Sequence, residues 1–298
     1  MADEIVFDSE FLQGLERLRL VMRRRATGAH AGERRSQKKG SSVEFADFRN
    51  YVAGDDLRQV DWNAYGRLER MFTKLFMEEQ DTTVLLYLDT SASMAWGVPS
   101  KGLLAKRTIG ALAYLTLVGF DRVVIAAGND RLREFRPPAR GRGSAPDLWH
   151  YIAGLPFGGR TDLARALRET GRLGLRSGIA VVVSDLLSPS GWEEGLQYLC
   201  HRRHEVTVIE ILSPDELNPD LAGDLRLIDS ETGETRDISV TPGLLAAYAQ
   251  RLAARQEDIR RFCHSHGITY LSVSSARKAE DVILDVLRGA GVAGRCRP

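Results

Sequence analysis

The sequence predicts an α/β fold: a doubly wound, mainly parallel sheet, with a small N-terminal α+β appendage and an inserted β-hairpin. Three observations carry that expectation. The stretches "TVLLYLD" and "GIAVVVSD" are continuous apolar runs of the kind a strand needs when helices cover both of its faces. Strand-like and helix-like segments alternate from residue 81 onward, the pattern of a parallel sheet with crossover helices. Both runs end in an aspartate, Asp89 and Asp185, where a buried strand ordinarily stops at glycine, proline or asparagine.

Composition sets the frame. The chain has 298 residues, 43% of them apolar, enough to bury a substantial core. The expected division is an appendage at 1–80 and a main domain at 81–298. A formal charge of +1 gives no global pull toward nucleic acid or anionic membrane. Cys200, Cys263 and Cys296 are an odd number without framework spacing, and no apolar leader precedes the first charged segment. Both point to a reducing cytoplasm. The longest apolar run, Ile109 to Phe120, falls short of the ~20 residues that span a bilayer, so a soluble protein without a membrane span is expected.

The elements follow in order. Phe11, Leu15, Leu18 and Met22 recur at helical spacing, with Ser9 suited to cap the start. From Ala26 to Ser42 glycines alternate with Arg34, Arg35, Lys38 and Lys39, which reads as a basic loop. Val43 to Gln80 mixes aromatic and charged residues in short strands and turns. After "TVLLYLD" come a helix from Lys101 to Val118, the strands "RVVIAAG" and "RLREF", and helices within Ala145 to Gly154 and Thr161 to Leu173. "GIAVVVSD" then leads to the helix "GWEEGLQYLCHRR" and the strand "EVTVIEIL". Leu225 to Val240 reads as a hairpin around "SETGET" with Gly233 at its tip. Thr241 and Pro242 open a long helix that Gly267 ends, and the strand "ITYLSVS" precedes a last helix from Ala279 to Leu287.

The chemistry gathers at two strand ends. Ligands of open α/β sheets bind beyond the carboxyl ends of the strands, near the point where strand order reverses. If the two apolar strands are neighbours, Asp89, Ser91, Ser93, Thr161 of "GGRTD" and Asp185 converge on one crevice. A set of hard oxygens without imidazole or thiolate suits Mg²⁺, with Mn²⁺ or Ca²⁺ possible. The plainer account is that the serines cap a helix or fix a turn and Asp185 starts a loop. That account gives no reason for five oxygen groups to meet at one sheet edge.

Asp89, Ser91 and Ser93, with the later Thr161 and Asp185, resemble the metal-ion-dependent adhesion site of von Willebrand factor A domains, an Asp-x-Ser-x-Ser pattern with a distant Thr and Asp. The resemblance implies that the serines and threonine touch the metal directly while the aspartates act largely through bound water. A position is then left for an acidic residue of a client protein. The preceding block, with Tyr51, Gly54, Asp55, Asp56, Arg58, Asp61 and Trp62, resembles a widespread bacterial family of formally unknown function, typically encoded beside MoxR-type AAA+ ATPases. It implies a metal-dependent adaptor that presents a client to such an ATPase. Ala53 stands where many relatives have proline, and many relatives carry membrane helices ahead of this block, which are not seen here.

Asp55, Asp56 and Asp61 around Arg58 read as a salt-bridged corner rather than a second cation site, because a guanidinium repels a metal. Trp62 reads as a core anchor. The basic run of Arg131, Arg133, Arg136, Arg140 and Arg142 lacks aromatic interleaving, so a solvated face or protein contact is favoured over nucleic acid. Cys200 with His204, and Cys263 with His266, have zinc-compatible spacings on helices that need not meet. No P-loop or nucleophile elbow is present in the sequence. The competing reading is a Mg²⁺-dependent phosphohydrolase resembling the haloacid dehalogenase superfamily, with Asp89 as nucleophile. That chemistry wants an acid two residues later, where this chain has Ser91.

Overall fold

The computed structural model describes residues 7–9, 11–15, 44–52, 55, 57, 60–68, 70–77, 82–119 and 121–289. The basic loop at 26–42, together with Leu18, Met22, Ala53, Gly54, Asp56, Arg58 and Cys296, lies outside them. The chain divides into two compact units, residues 1–20 with 82–298, and residues 21–81.

In the smaller unit, β1 (Glu44–Asn50) pairs antiparallel with β2 (Phe72–Met77), and a short helix α1 (Trp62–Leu68) lies between them in sequence. Asp61 starts that helix: its Oδ1 accepts the N–H groups of Asn63 at 2.9 Å and Ala64 at 3.0 Å. Asp55 accepts the Val52 N–H at 3.1 Å and two bonds from Arg49 Nη2 at 2.6 and 2.7 Å, which hold its carboxyl below the usual range. The corner expected around Arg58 includes Asp56 and Arg58, which lie outside the described residues; among those described, Asp55 pairs with Arg49 of β1 and Asp61 caps α1. Trp62 is also not the expected core anchor. It is 55% exposed, on a helix without a buried residue, and meets Tyr65 edge-on.

The larger unit carries β3 (Thr83–Asp89), β4 (Arg122–Gly128), β5 (Leu132–Ala139), β6 (Ile179–Ser184) and β7 (Glu205–Leu212), then the hairpin β8 (Gly223–Ile228) and β9 (Thr235–Val240), and finally β10 (Thr269–Ser274). Six strands form one sheet in the order β10-β7-β6-β3-β4-β5, parallel except for β5. The antiparallel strand sits at the edge, the place where its Pro137 and Pro138 cost no ladder bond. The hairpin forms its own two-stranded sheet, with Gly233 at φ 72° in the turn, as its sequence predicts. This is the doubly wound, mainly parallel class expected from the alternating pattern.

The helices of this unit are α2 (Lys101–Val118), α3 (Ala145–Gly154), α4 (Leu163–Glu169), α5 (Glu193–His201), α6 (Pro214–Leu217), α7 (Pro242–Ser265) and α8 (Ala279–Gly289). Helix α2 is buried along most of its length, as its all-round apolar composition requires. The strands β3, β4, β6 and β7 and helices α4, α5 and α7 supply one continuous core around Leu85, Tyr87, Val182, Leu167, Leu196 and Ile259.

The N-terminal helix, expected in the appendage, clusters instead with this unit. Phe11 and Leu15 are buried, and the Phe7 and Phe11 rings pack around Trp149 of α3 with centroids 5.7 and 6.3 Å away. Gly110 of α2 makes room, since a Cβ there would lie 2.3 Å from the Phe7 ring. The cap is Asp8 rather than Ser9: its Oδ1 accepts the Phe11 N–H at 2.8 Å.

His204 is buried at the start of β7, and its Nδ1 lacks a partner. Burial foremost, and then the Arg202 charge, lower its pKa below the ordinary 6.5. The neutral ring is thus the folded form, and stability present above the unfolded pKa is lost as pH falls through the folded one. The melting temperature of wild type relative to His204→Gln should fall as pH drops below about 6.5, measured by thermal denaturation across pH 7.5 to 5.

Candidate functional site at the strand switch point

From β3 the chain moves to β4 on one side, and later returns through β6 on the other side of β3. Strand order therefore reverses between β3 and β6, the place where open α/β sheets bind ligands beyond the carboxyl ends of their strands. Asp89 is the last residue of β3, Asp185 follows the last residue of β6, and the register pairs Leu88 with Val183. The two aspartates leave adjacent strands one residue apart in register, 1% and 0% exposed.

Neither carboxylate is idle. Asp89 Oδ1 accepts the Ser91 N–H at 2.9 Å and Oδ2 accepts the Ser184 hydroxyl at 2.6 Å. Asp185 Oδ1 accepts the Leu187 N–H at 3.0 Å and Oδ2 accepts Lys101 Nζ at 2.8 Å. Between these residues Leu186 takes φ 55°, a strained region for a non-glycine residue, and its N–H donates to Ser184 Oγ at 2.9 Å. Burial, and secondarily the Asp185 charge, push Asp89 well above the usual carboxylate range.

The hydroxyls lie in front. Ser91 and Ser93 Oγ are 3.0 Å apart, on the turn of 3₁₀ helix that follows β3. Three loops are joined by backbone bonds: Ala92 N–H to Gly159 O at 3.0 Å, Gly158 N–H to Thr90 O at 2.8 Å, and Asp162 N–H to Asn129 O at 3.0 Å. Gly159 is required, with φ 80° and an added Cβ only 2.7 Å from Asn129 Nδ2. This stitching brings Thr161 to the site, where its N–H donates to Glu231 Oε2 at 2.9 Å. The nearby Ser93 hydroxyl also favours the charged form of Glu231. The Thr161 hydroxyl and Glu231 Oε1 are both buried without a hydrogen-bond partner. Hydrogen bonds thus link Asp89, Ser91 and Ser93 to one another and to Ser184, the neighbour of Asp185, while Thr161 is held by Glu231.

Four participants escaped sequence reasoning. Ser184 bridges Asp89 to the turn after β6, but in the sequence it is one polar residue in a buried strand. Lys101 reads as a helix start, yet its ammonium is fully buried between Asp185 and Glu216, 2.8 and 2.6 Å away. Burial pulls its pKa down and the two carboxylates more than offset this, so it is raised. Glu216 also closes a capping box with Ser213 at the start of α6, a Ser-x-x-Glu signal that was legible but went unread. Glu231 belongs to the hairpin turn. Burial raises its pKa, against the Thr161 N–H bond that lowers it.

Among the described residues, no three His, Cys, Asp or Glu side chains gather as a metal-ligand set. Neither Cys200 nor Cys263 forms a disulfide, both are buried in the core, and burial pushes the Cys263 thiol up to about 12. The zinc alternative is therefore not supported. A cation at the crevice would be held by Ser91, Ser93 and Thr161 hydroxyls, with the aspartates acting from behind, and the orphaned Thr161 and Glu231 oxygens fit a hard ion.

The structure is that of an α/β protein with hydroxyls and carboxylates gathered at the switch point of its sheet. Residues 47–258 match the family described as "Protein of unknown function DUF58", and the chain belongs to that family. It is 29% identical over 286 residues to an uncharacterized protein of Mycobacterium tuberculosis, covering 94% of this chain and 89% of the relative. An uncharacterized Mycobacterium avium protein is 38% identical over 158 residues, covering 51% of this chain and 90% of the relative. Among solved structures, the conserved hypothetical protein BatB from Bacteroides thetaiotaomicron is similar at 17% identity and TM-score 0.44, covering 70% of this chain and 99% of that one. The VWA domain of SpRpn10 is similar at 12% identity and TM-score 0.41, covering 69% and 95%.

Removing one member of a buried ion pair leaves the other uncompensated, which costs about 3–5 kcal/mol. Lys101→Met should lower stability by that amount in urea denaturation, and Lys101→Met with Asp185→Asn should recover a large part of it.

Proposed function

We propose that this protein is a Mg²⁺-dependent protein-binding adaptor, with Mn²⁺ or Ca²⁺ as possible substitutes, that engages an acidic residue of a client. One observation carries the reading: the buried aspartates have every oxygen committed, whereas the Ser91, Ser93 and Thr161 hydroxyls in front of them have lone pairs to offer. An ion held mainly by neutral hydroxyls keeps most of its charge and so attracts an outside carboxylate strongly. Asp89 and Asp185, faced by the Lys101 ammonium that Glu216 also shares, give this place the negative potential that draws a cation in. The resemblance of the front segment to a family encoded beside MoxR-type AAA+ ATPases supports such an ATPase as working partner. In that scheme the ATPase supplies mechanical work and this chain presents the client. No helix among the described residues is long and apolar enough to cross a membrane.

The geometry disfavours the phosphohydrolase. A nucleophilic aspartate needs a lone pair aimed at phosphorus, and Asp89 is 1% exposed with both oxygens accepting hydrogen bonds.

Calorimetric titration should show Mg²⁺ binding to wild type, and Ser91→Ala with Ser93→Ala should weaken it at least about tenfold, roughly 1.4 kcal/mol. At Mg²⁺ a hundredfold above the dissociation constant, wild type should gain about 2.7 kcal/mol of stability that chelator removes. No heat and no stabilisation in wild type would sink the metal-dependent reading. A purified MoxR-type ATPase that co-elutes with the chain would support the partnership, and one that does not would count against it.

A further inference from the structure

The inserted hairpin delivers a carboxylate to the crevice. Its turn is braced from within: Asp229 Oδ1 accepts the N–H groups of Glu231 and Thr232, both at 2.8 Å, and Gly233 N–H donates to Asp229 O at 2.9 Å. Strand residues of the hairpin are largely exposed, with Leu227 and Ile228 at 44% and 68%, so apolar burial does not account for where the tip lies. The tip instead reaches across to the Thr161 N–H, with the Ser93 hydroxyl near enough to favour the charged form of Glu231.

The polar inventory at this junction is incomplete. Thr161 is 8% exposed and its hydroxyl has no partner; Glu231 Oε1 is buried and has none either. A hydroxyl and a carboxylate oxygen could bond directly, and here they do not. Leaving both unsatisfied costs about 1–3 kcal/mol for each group, more for a charged one. A divalent ion, which takes anionic and neutral oxygens together, would satisfy both.

We infer that Glu231 is a cation ligand supplied by the chain itself, seated where the proposed function places the client's acidic residue. This rests on that reading and deepens it: the hairpin acts as an internal stand-in for the client, and a client carboxylate gains the ion by displacing the hairpin tip. The ion then joins the hairpin, the serine turn after β3 and the Thr161 loop, three segments far apart in sequence.

Mg²⁺ titration of wild type, Glu231→Gln, Glu231→Ala and the Ser91→Ala, Ser93→Ala double variant tests the assignment, with each fold checked by its melting temperature in chelator. The expected result is a dissociation constant at least about tenfold weaker in both Glu231 variants. In Glu231→Ala, which leaves space, sodium acetate should recover the lost affinity and sodium chloride at equal ionic strength should not. Wild-type affinity in Glu231→Gln, alongside loss in the serine variant, would overturn the inference while the metal-dependent reading stands. Weakened binding that acetate fails to recover would also overturn it, because the loss would then come from a displaced hairpin. Absence of Mg²⁺ binding in wild type would remove the reading and this inference together.

Discussion

The parallel pairing of β3 with β6 sets two carboxylates side by side in a buried place, and most of the site answers that electrostatic problem. Burial, and then the Asp185 charge, make Asp89 hard to ionise. Compensation comes from near and far: the Ser91 and Leu187 N–H groups, the Ser184 hydroxyl, and an ammonium from the first turn of α2. The left-handed backbone of Leu186 fits the same purpose. It turns the chain sharply enough for Ser184 to accept from the Leu186 N–H while donating to Asp89.

Committing the aspartates frees the hydroxyls. A crevice in which the acids served directly would hold a cation tightly and neutralise it; one in which neutral oxygens stand in front holds it with charge to spare. The surrounding elements are braced accordingly. Arg255 of α7 donates to Glu210 of β7 at 2.6 Å and to the backbone oxygen of Asp185 at 2.8 Å, and the Tyr248 hydroxyl donates to Glu216 O at 2.6 Å. Helix α7 follows the hairpin directly, so the element that fixes the back of the crevice also anchors the return of the strand pair whose tip closes its front.

What could be read from the sequence was whatever has a local or periodic signature. Continuous apolar runs marked β3 and β6, alternation marked the wound sheet, and Thr241, Pro242 and Gly267 marked both ends of α7. Asp89, Ser91 and Ser93 share one short turn, so their spacing alone suggested a common purpose. Local signals also misled: Ser9 resembled the cap that Asp8 supplies, and Trp62 resembled a core residue although its helix buries nothing. In each case the residue type was right for the role, but the role depended on the neighbours that folding supplied.

By itself, the sequence determined the fold class, the order of elements, and the oxygen-bearing groups at the strand ends, because hydrophobic periodicity and turn chemistry act over a few residues. Only tertiary structure decided that β6 lies against β3, that Phe7 and Phe11 pack with the main unit, and that Lys101, Ser184, Glu216 and Glu231 join the crevice. The physical reason is range. Lys101 meets an acid 84 residues away and Glu231 meets a backbone N–H 70 residues away. Such pairings follow from sheet order and loop closure, which leave no periodic mark on the chain.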